Sequence, residues 1–124
     1  MGNLILVMAG GALGAGARHV FGRWALGSFG PDYPWGTLGV NLIGGLLMGV
    51  LVGTLARTGA GEPARLLLGV GVLGGFTTFS AFSLDAVTMI ERGALTTAAG
   101  YVAISVIGST VALFAGLTIT RSVA

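Results

Sequence analysis

The chain has 124 residues, of which 54% are hydrophobic and 8% charged, and its mean hydropathy is +0.95. A soluble domain keeps roughly a quarter of its residues charged, so six Arg, four acids and no Lys cannot solvate an exterior of this size. The charges leave uncharged stretches at residues 1–17, 33–56, 66–84 and 93–120; a helix needs about 20 apolar residues to cross the ~30 Å hydrocarbon layer, so four crossings use nearly the whole chain and exclude a soluble catalytic domain.

Other function classes fall on the same inventory. Without cysteine there is no disulfide, thiolate nucleophile or Cys-based metal site. The sequence pI is near 10, but the net charge is only +2 and the arginines are scattered at 18, 23, 57, 65, 92 and 121, so no basic patch invites nucleic acid. One His, no Cys and no carboxylate pair beside a nucleophile argue against an enzyme.

The expected architecture is an all-α membrane protein, one domain over residues 1–124 with four transmembrane helices. The first is predicted over residues 4–26, ended by the turn formers Gly27-Ser28-Phe29-Gly30-Pro31-Asp32. The start lacks the basic n-region of a cleaved signal peptide, and Leu6 stands where a myristoylation motif has Ser or Thr, so this helix is expected to be retained. Arg18 is the deepest basic residue and a functional candidate by default, or a side chain that snorkels to the interface. His19 is read as interfacial.

A second helix is predicted over residues 35–56, with Tyr33 and Trp35 suited to an interfacial belt. Asn41 lies well inside it, and Thr37 sits one turn earlier on the same face. An amide at membrane depth needs partners. It is either glue between helices or an NH₂ donor facing a polar pathway.

The third helix is predicted over residues 63–91, with Pro63 in its first turn. Gly69, Gly71, Gly74 and Gly75 lead into Phe76-Thr77-Thr78-Phe79-Ser80, and a break near residues 74–78 is expected. A broken helix survives in lipid only where protein or a water-filled cavity satisfies its freed backbone groups, and such breaks often mark ion sites; the same glycines also suit close packing. Gly69-Val70-Gly71-Val72-Leu73-Gly74 matches a dinucleotide-binding spacing, yet that fingerprint needs a soluble βαβ unit. Phe79 and Phe82 share a face beside the hydroxyls of Thr77, Thr78, Ser80 and Ser83. Such pairs usually pack, but ring edges carry positive partial charge and could hold a small anion without a fixed cation that would trap it.

The fourth helix is predicted over residues 95–120. Tyr101, Ser105 and Ser109 make a polar stripe at four-residue spacing, unless their hydroxyls bond back to the helix's own carbonyls. Glycines four apart, Gly10 with Gly14 and Gly45 with Gly49 and Gly53, make smooth faces for helix approach. Arginines near the helix ends divide three against three between the two sides, so the positive-inside rule sets no preferred orientation and an antiparallel pair of identical chains is a natural product.

Taken together, four blocks resemble the CrcB/Fluc family of fluoride channels: residues 10–18 in the first helix, 36–44 around Asn41, 74–82 through the break, and the Tyr101/Ser105/Ser109 stripe. The resemblance implies a dual-topology antiparallel homodimer in the cell inner (plasma) membrane, with two fluoride pores, a central structural Na⁺, and passive fluoride export. By position it implies that the Na⁺ takes backbone carbonyls of Gly74 and Thr77, that Phe79, Phe82 and Asn41 form the pore, and that Ser80, Thr37, Tyr101, Ser105 and Ser109 form its polar track. Arg18 matches the family arginine, in a vestibular or structural role. Ala81 replaces a Thr usual in that block, and His19 replaces the aromatic that often follows the arginine.

Two rivals from other classes remain. A small proton-coupled multidrug exporter has this length and topology but normally depends on a first-helix carboxylate, and residues 1–31 contain no acid; Asp85 would have to serve. A structural or assembly subunit would use its polar faces only for association.

Overall fold

The computed structural model describes residues 1–123 and is entirely helical among them. Helix α1 spans Gly2–Phe29 and α2 spans Trp35–Thr58. The third crossing, Glu62–Glu91, is assembled from pieces: α3 (Glu62–Ala64), a π-helical run (Arg65–Leu73), α4 (Gly74–Phe76) and, after a break at Thr77 and Thr78, α5 (Phe79–Glu91). Helix α6 spans Leu95–Ser122. Each crossing runs a residue or more beyond its predicted limits at one end or both, because end turns containing Ser28, Arg57 or Arg121 still complete their backbone bonds at the interface. Four of these helices are long and apolar enough to cross a membrane.

The turns are glycine turns. The Gly59 N–H closes α2 onto the Leu55 carbonyl at 3.0 Å with φ +66°, in the left-handed region where a side chain is penalised. Gly93 does the same between α5 and α6 at φ +81°.

Small residues set the packing. Helix α1 lies against the first half of the third crossing, and α2 lies along α6. A Cβ on Gly14 would fall within 2.8 Å of the Phe76 amide nitrogen, and one on Gly10 within 2.9 Å of the Gly71 Cα. On the other pair, a Cβ on Gly45 would sit 2.7 Å from the Ser109 carbonyl oxygen, and one on Gly116 2.7 Å from the Val50 nitrogen. The glycine faces legible in the sequence are therefore the contact surfaces α1 to third crossing and α2 to α6, where backbone meets backbone at distances no side chain permits. Arg57 adds a tether, its Nη1 donating to the Thr120 carbonyl at 3.1 Å.

A compact cluster of Leu38, Phe82, Met89, Ala98 and Tyr101 forms the core at one end, with Tyr33, Leu42 and Ala94 packed on it. Most other large apolar side chains point outward, which is the arrangement of a chain whose solvent is hydrocarbon.

Gly14→Ala should force α1 away from α4 and lower stability by about 1–3 kcal/mol. Gly27→Ala, whose added methyl would meet nothing within 4 Å, should be neutral or gain up to about 1 kcal/mol of helix propensity. Thermal melting of the two variants in one detergent checks the contrast.

Candidate functional site

The site is organised by the break in the third crossing. Thr77 (φ −87°, ψ 160°) and Thr78 (φ −152°, ψ 123°) are extended, so the helical ladder stops for two residues at membrane depth. The freed groups must find partners inside the protein. Thr78 N–H, which a continuous helix would aim at the Gly74 carbonyl, donates instead to Asn41 Oδ1 at 2.9 Å, and Asn41 Nδ2 donates back to the Thr78 carbonyl at 3.0 Å. One amide thus closes on one peptide from both sides. Thr78 Oγ1 caps α5 by accepting from the Ala81 N–H at 3.1 Å. Thr77 bonds back to the Leu73 carbonyl through both its N–H and its hydroxyl, each at 3.0 Å.

Arg18 serves the same break. Its Nε donates to the Gly75 carbonyl at 3.0 Å, so the deepest arginine neither floats free nor simply snorkels: it ties α1 to α4. The Gly74 carbonyl has lost its Thr78 donor to Asn41, on a residue exposed at the surface of the single chain.

Beside the break lies an open cavity of about 400 Å³ lined by Asn41, Thr77, Thr78, Phe79, Phe82, Ser105 and Ser109, among others. The segments that meet there come from α2, the break, α5 and α6. Phe79 and Phe82 stand 5.6 Å apart between ring centroids, tilted by 49°. They differ sharply in exposure: Phe82 is 8% exposed and anchored in the core, whereas Phe79 is 77% exposed at the cavity's open side.

The serine stripe separates from the hydroxyls around it. Thr110, Thr118 and Thr120 of α6 bond back to their own helix carbonyls. Ser105 Oγ, buried in the cavity wall, has no hydrogen-bond partner among the described residues. A buried hydroxyl without a partner costs about 1–3 kcal/mol.

The remaining candidates lie around this cavity. Tyr101 is fully buried behind Phe82, with 5.3 Å between ring centroids, and its hydroxyl donates to Asp85 Oδ2 at 3.0 Å. Tyr33 meets Tyr101 edge-on at 5.6 Å, and partial burial pushes the Tyr33 phenol above its ordinary value. Thr37 lines two further cavities, one with Asp85 and Arg92 and one with Arg18 and Arg23. Ser80 is exposed, its Oγ 3.3 Å from Thr78 Oγ1.

Three features had little or no signal in the sequence. The pairing of Tyr101 with Asp85 and of Arg18 with a backbone carbonyl joins residues far apart in the chain, and the π-helical run leaves no mark in composition. Only the depth of Arg18 hinted that it required an acceptor.

Asn41→Ala should leave the Thr78 N–H and C=O unpaired, lowering stability by about 1–3 kcal/mol for each orphaned group. Hydrogen exchange checks this directly, with faster exchange expected at the Thr78 amide and little change at amides in the middle of α2.

Residues 5–117 match the profile of a protein family described as "CrcB-like protein, Camphor Resistance (CrcB)". A protein of Mesorhizobium japonicum named fluoride-specific ion channel FluC is 52% identical over 122 residues, covering 98% of each chain. Proteins of the same name from Sphingopyxis alaskensis and Phenylobacterium zucineum are 52% identical over 122 residues and 55% identical over 125 residues, covering 98% and 99% of this chain and 97% and 98% of the relatives.

Proposed function

The chain belongs to the CrcB family, and we propose on that basis that it is a fluoride-selective channel through which fluoride leaves the cell passively across the plasma membrane. Its work is transport down a gradient rather than catalysis. The observation that carries the reading at the level of residues is the convergence of Asn41, Phe79, Phe82, Ser105 and Ser109, distant in sequence, on one cavity beside a broken helix.

Fluoride is small, hard and strongly hydrated, so a selective path must replace its water with many neutral donors and still release it. After its bond to Thr78 the Asn41 NH₂ keeps one N–H. Ser105 supplies a hydroxyl bound to nothing else, and the tilted pair Phe79 and Phe82 offers ring edges with positive partial charge. None of these groups carries a full charge that would hold the ion. Ser109 continues the polar lining along α6, Tyr101 backs Phe82 with its hydroxyl given to Asp85, and Thr37 and Ser80 stand near Thr78.

A second copy in antiparallel orientation completes this site. The cavity is open to the side and its Phe79 ring is 77% exposed, an arrangement that a facing chain would close. The even division of arginines between the two sides permits both insertions. Two copies would give two such pathways.

A structural Na⁺ fits the donors that the break leaves. The described residues hold no cluster of His, Cys, Asp or Glu suited to a metal, so a cation would need backbone oxygens. The Gly74 and Thr77 carbonyls are hard oxygen ligands of the kind such an ion prefers. Bound there, Na⁺ would contribute positive charge that lowers the cost of anions nearby. If it bridges two copies, exchanging sodium for a bulky organic cation should shift the purified dimer toward monomer by size exclusion. A dimer equally stable in both media would remove Na⁺ from the account.

Fluoride efflux from liposomes, read with a selective electrode, tests the function. Rapid release is expected from fluoride-loaded vesicles and none of chloride, with Phe82→Ile reducing fluoride release at least about tenfold while the dimer stays intact. Asp85→Asn separates the exporter alternative: a passive pore should retain most of its flux, whereas a proton-coupled exporter driven by Asp85 would lose all of it.

A further inference from the structure

Tyr33 and Trp35, whose rings suit the membrane interface, belong to a turn built to hold a direction. The Gly30 N–H closes α1 onto the Leu26 carbonyl at 2.9 Å with φ +84°. Beyond it Pro34 stands at φ −80°, ψ 64°, and the Trp35 N–H donates across it to the Tyr33 carbonyl at 2.8 Å. These are the dihedrals and the bond of an inverse γ-turn, and the proline ring takes away the freedom of φ at its centre. Tyr33 is therefore delivered to the core by backbone with little room to turn.

From that turn a file of rings runs inward. Tyr33 lies 4.7 Å from Trp35 and meets Tyr101 edge-on, with 5.6 Å between centroids and 87° between planes. Tyr101, fully buried, lies 5.3 Å from Phe82, and Phe82 lies 5.6 Å from Phe79 at the cavity. Tyr33 itself lines a different cavity, with Thr37 and Asp85, so its ring contact toward the phenylalanine pair is Tyr101. The Tyr101 hydroxyl donates to Asp85 Oδ2, and a bond at the para position fixes that end of the ring while leaving its plane free to turn about the Cβ–Oη axis. The plane is set by what packs on the ring, and Tyr33 and Phe82 both do. Orientation has a consequence for an anion, because a ring's edge carries positive and its face negative partial charge. A Phe82 ring that turns exchanges attraction for repulsion.

We propose that Tyr33 is a positioning residue for the anion pathway: held by the Pro34 turn, its ring sets the plane of Tyr101, and Tyr101 in turn sets the orientation in which Phe82 meets the cavity. The inference rests on the channel reading above. It gives the turn between α1 and α2 a part in permeation although none of its residues, Gly30 to Pro34, lines the cavity of the phenylalanine pair. The ring is what the role requires, since the contact to Tyr101 is made by the ring.

The unit fluoride current of single dimers in planar bilayers reads this without counting channels, because a variant that merely folds less well gives fewer channels of native size. Tyr33→Leu and Tyr33→Met, which keep bulk and lose the ring, should each lower the unit current about threefold or more, and Tyr33→Phe should keep the native value. With ring-¹³C phenylalanine, the Phe82 signal should move in Tyr33→Leu while that of Phe114, which points outward from α6, stays in place. Native unit current in both ringless variants, an equal loss in Tyr33→Phe, or an unmoved Phe82 signal overturns the positioning role and leaves the channel standing. No fluoride current from the native dimer overturns the channel reading, and the positioning role with it.

Discussion

Two hydrogen bonds between the Asn41 amide and the Thr78 peptide, at 2.9 and 3.0 Å, make the rest of the site possible. A helix broken in hydrocarbon leaves peptide groups whose desolvation costs several kcal/mol each. Asn is well matched to this task, because its carbonyl and NH₂ reproduce the acceptor and donor of a backbone unit. With the clamp in place, Thr78 can cap α5, and α5 can start at Phe79 with its two rings toward the cavity. The same clamp takes the Thr78 N–H that a continuous helix would give to the Gly74 carbonyl.

Around that centre, rigidity comes from backbone contact and not from a large core. Glycine faces bring α1 onto the third crossing and α2 onto α6 at distances that exclude any side chain. Arg18 fixes the first of these pairs to the Gly75 carbonyl, and Arg57 ties the second at Thr120. Two of the six arginines thereby serve backbone carbonyls, and the cavity beside Phe79 and Phe82 is lined by uncharged residues. Lipid supplies no hydrophobic force between helices, which is why small residues and a few long-range hydrogen bonds carry the assembly.

Much of this was legible in the residues. Ten charged positions bracket the crossings because ions avoid hydrocarbon, and the glycines before Phe76, which weaken a helix, pointed to a break or to close packing; the break follows them, and Gly71 and Gly75 pack on α1. The break's location at Thr77 and Thr78 was not legible to the residue, since it is fixed by Asn41 thirty-seven positions earlier in the chain. Of the two alternatives that the sequence left open for Asn41, the structure shows the one that joins helices, its amide bonding the Thr78 peptide from both sides; one N–H is left over, and its use as a donor to an ion belongs to the proposed channel. Ser105 and Thr110 look alike in sequence, yet one hydroxyl is unpartnered and the other bonds back to Val106. Both residues line the cavity beside Phe79 and Phe82, so the difference lies in whether the hydroxyl reaches its own helix carbonyl, and no local pattern encodes it.

The central claim joins an observation, that a single amide holds the break, to the proposal that its remaining N–H meets the ion. The chain contains two asparagines, Asn3 and Asn41, and no glutamine, so protein labelled with ¹⁵N-asparagine shows two side-chain NH₂ groups by NMR. Titration with fluoride should shift one Asn41 proton and leave its geminal partner, bonded to Thr78, nearly still, while chloride should move neither. Two Asn41 protons that exchange as freely as those of Asn3, or that ignore fluoride at concentrations supporting flux, would contradict the account.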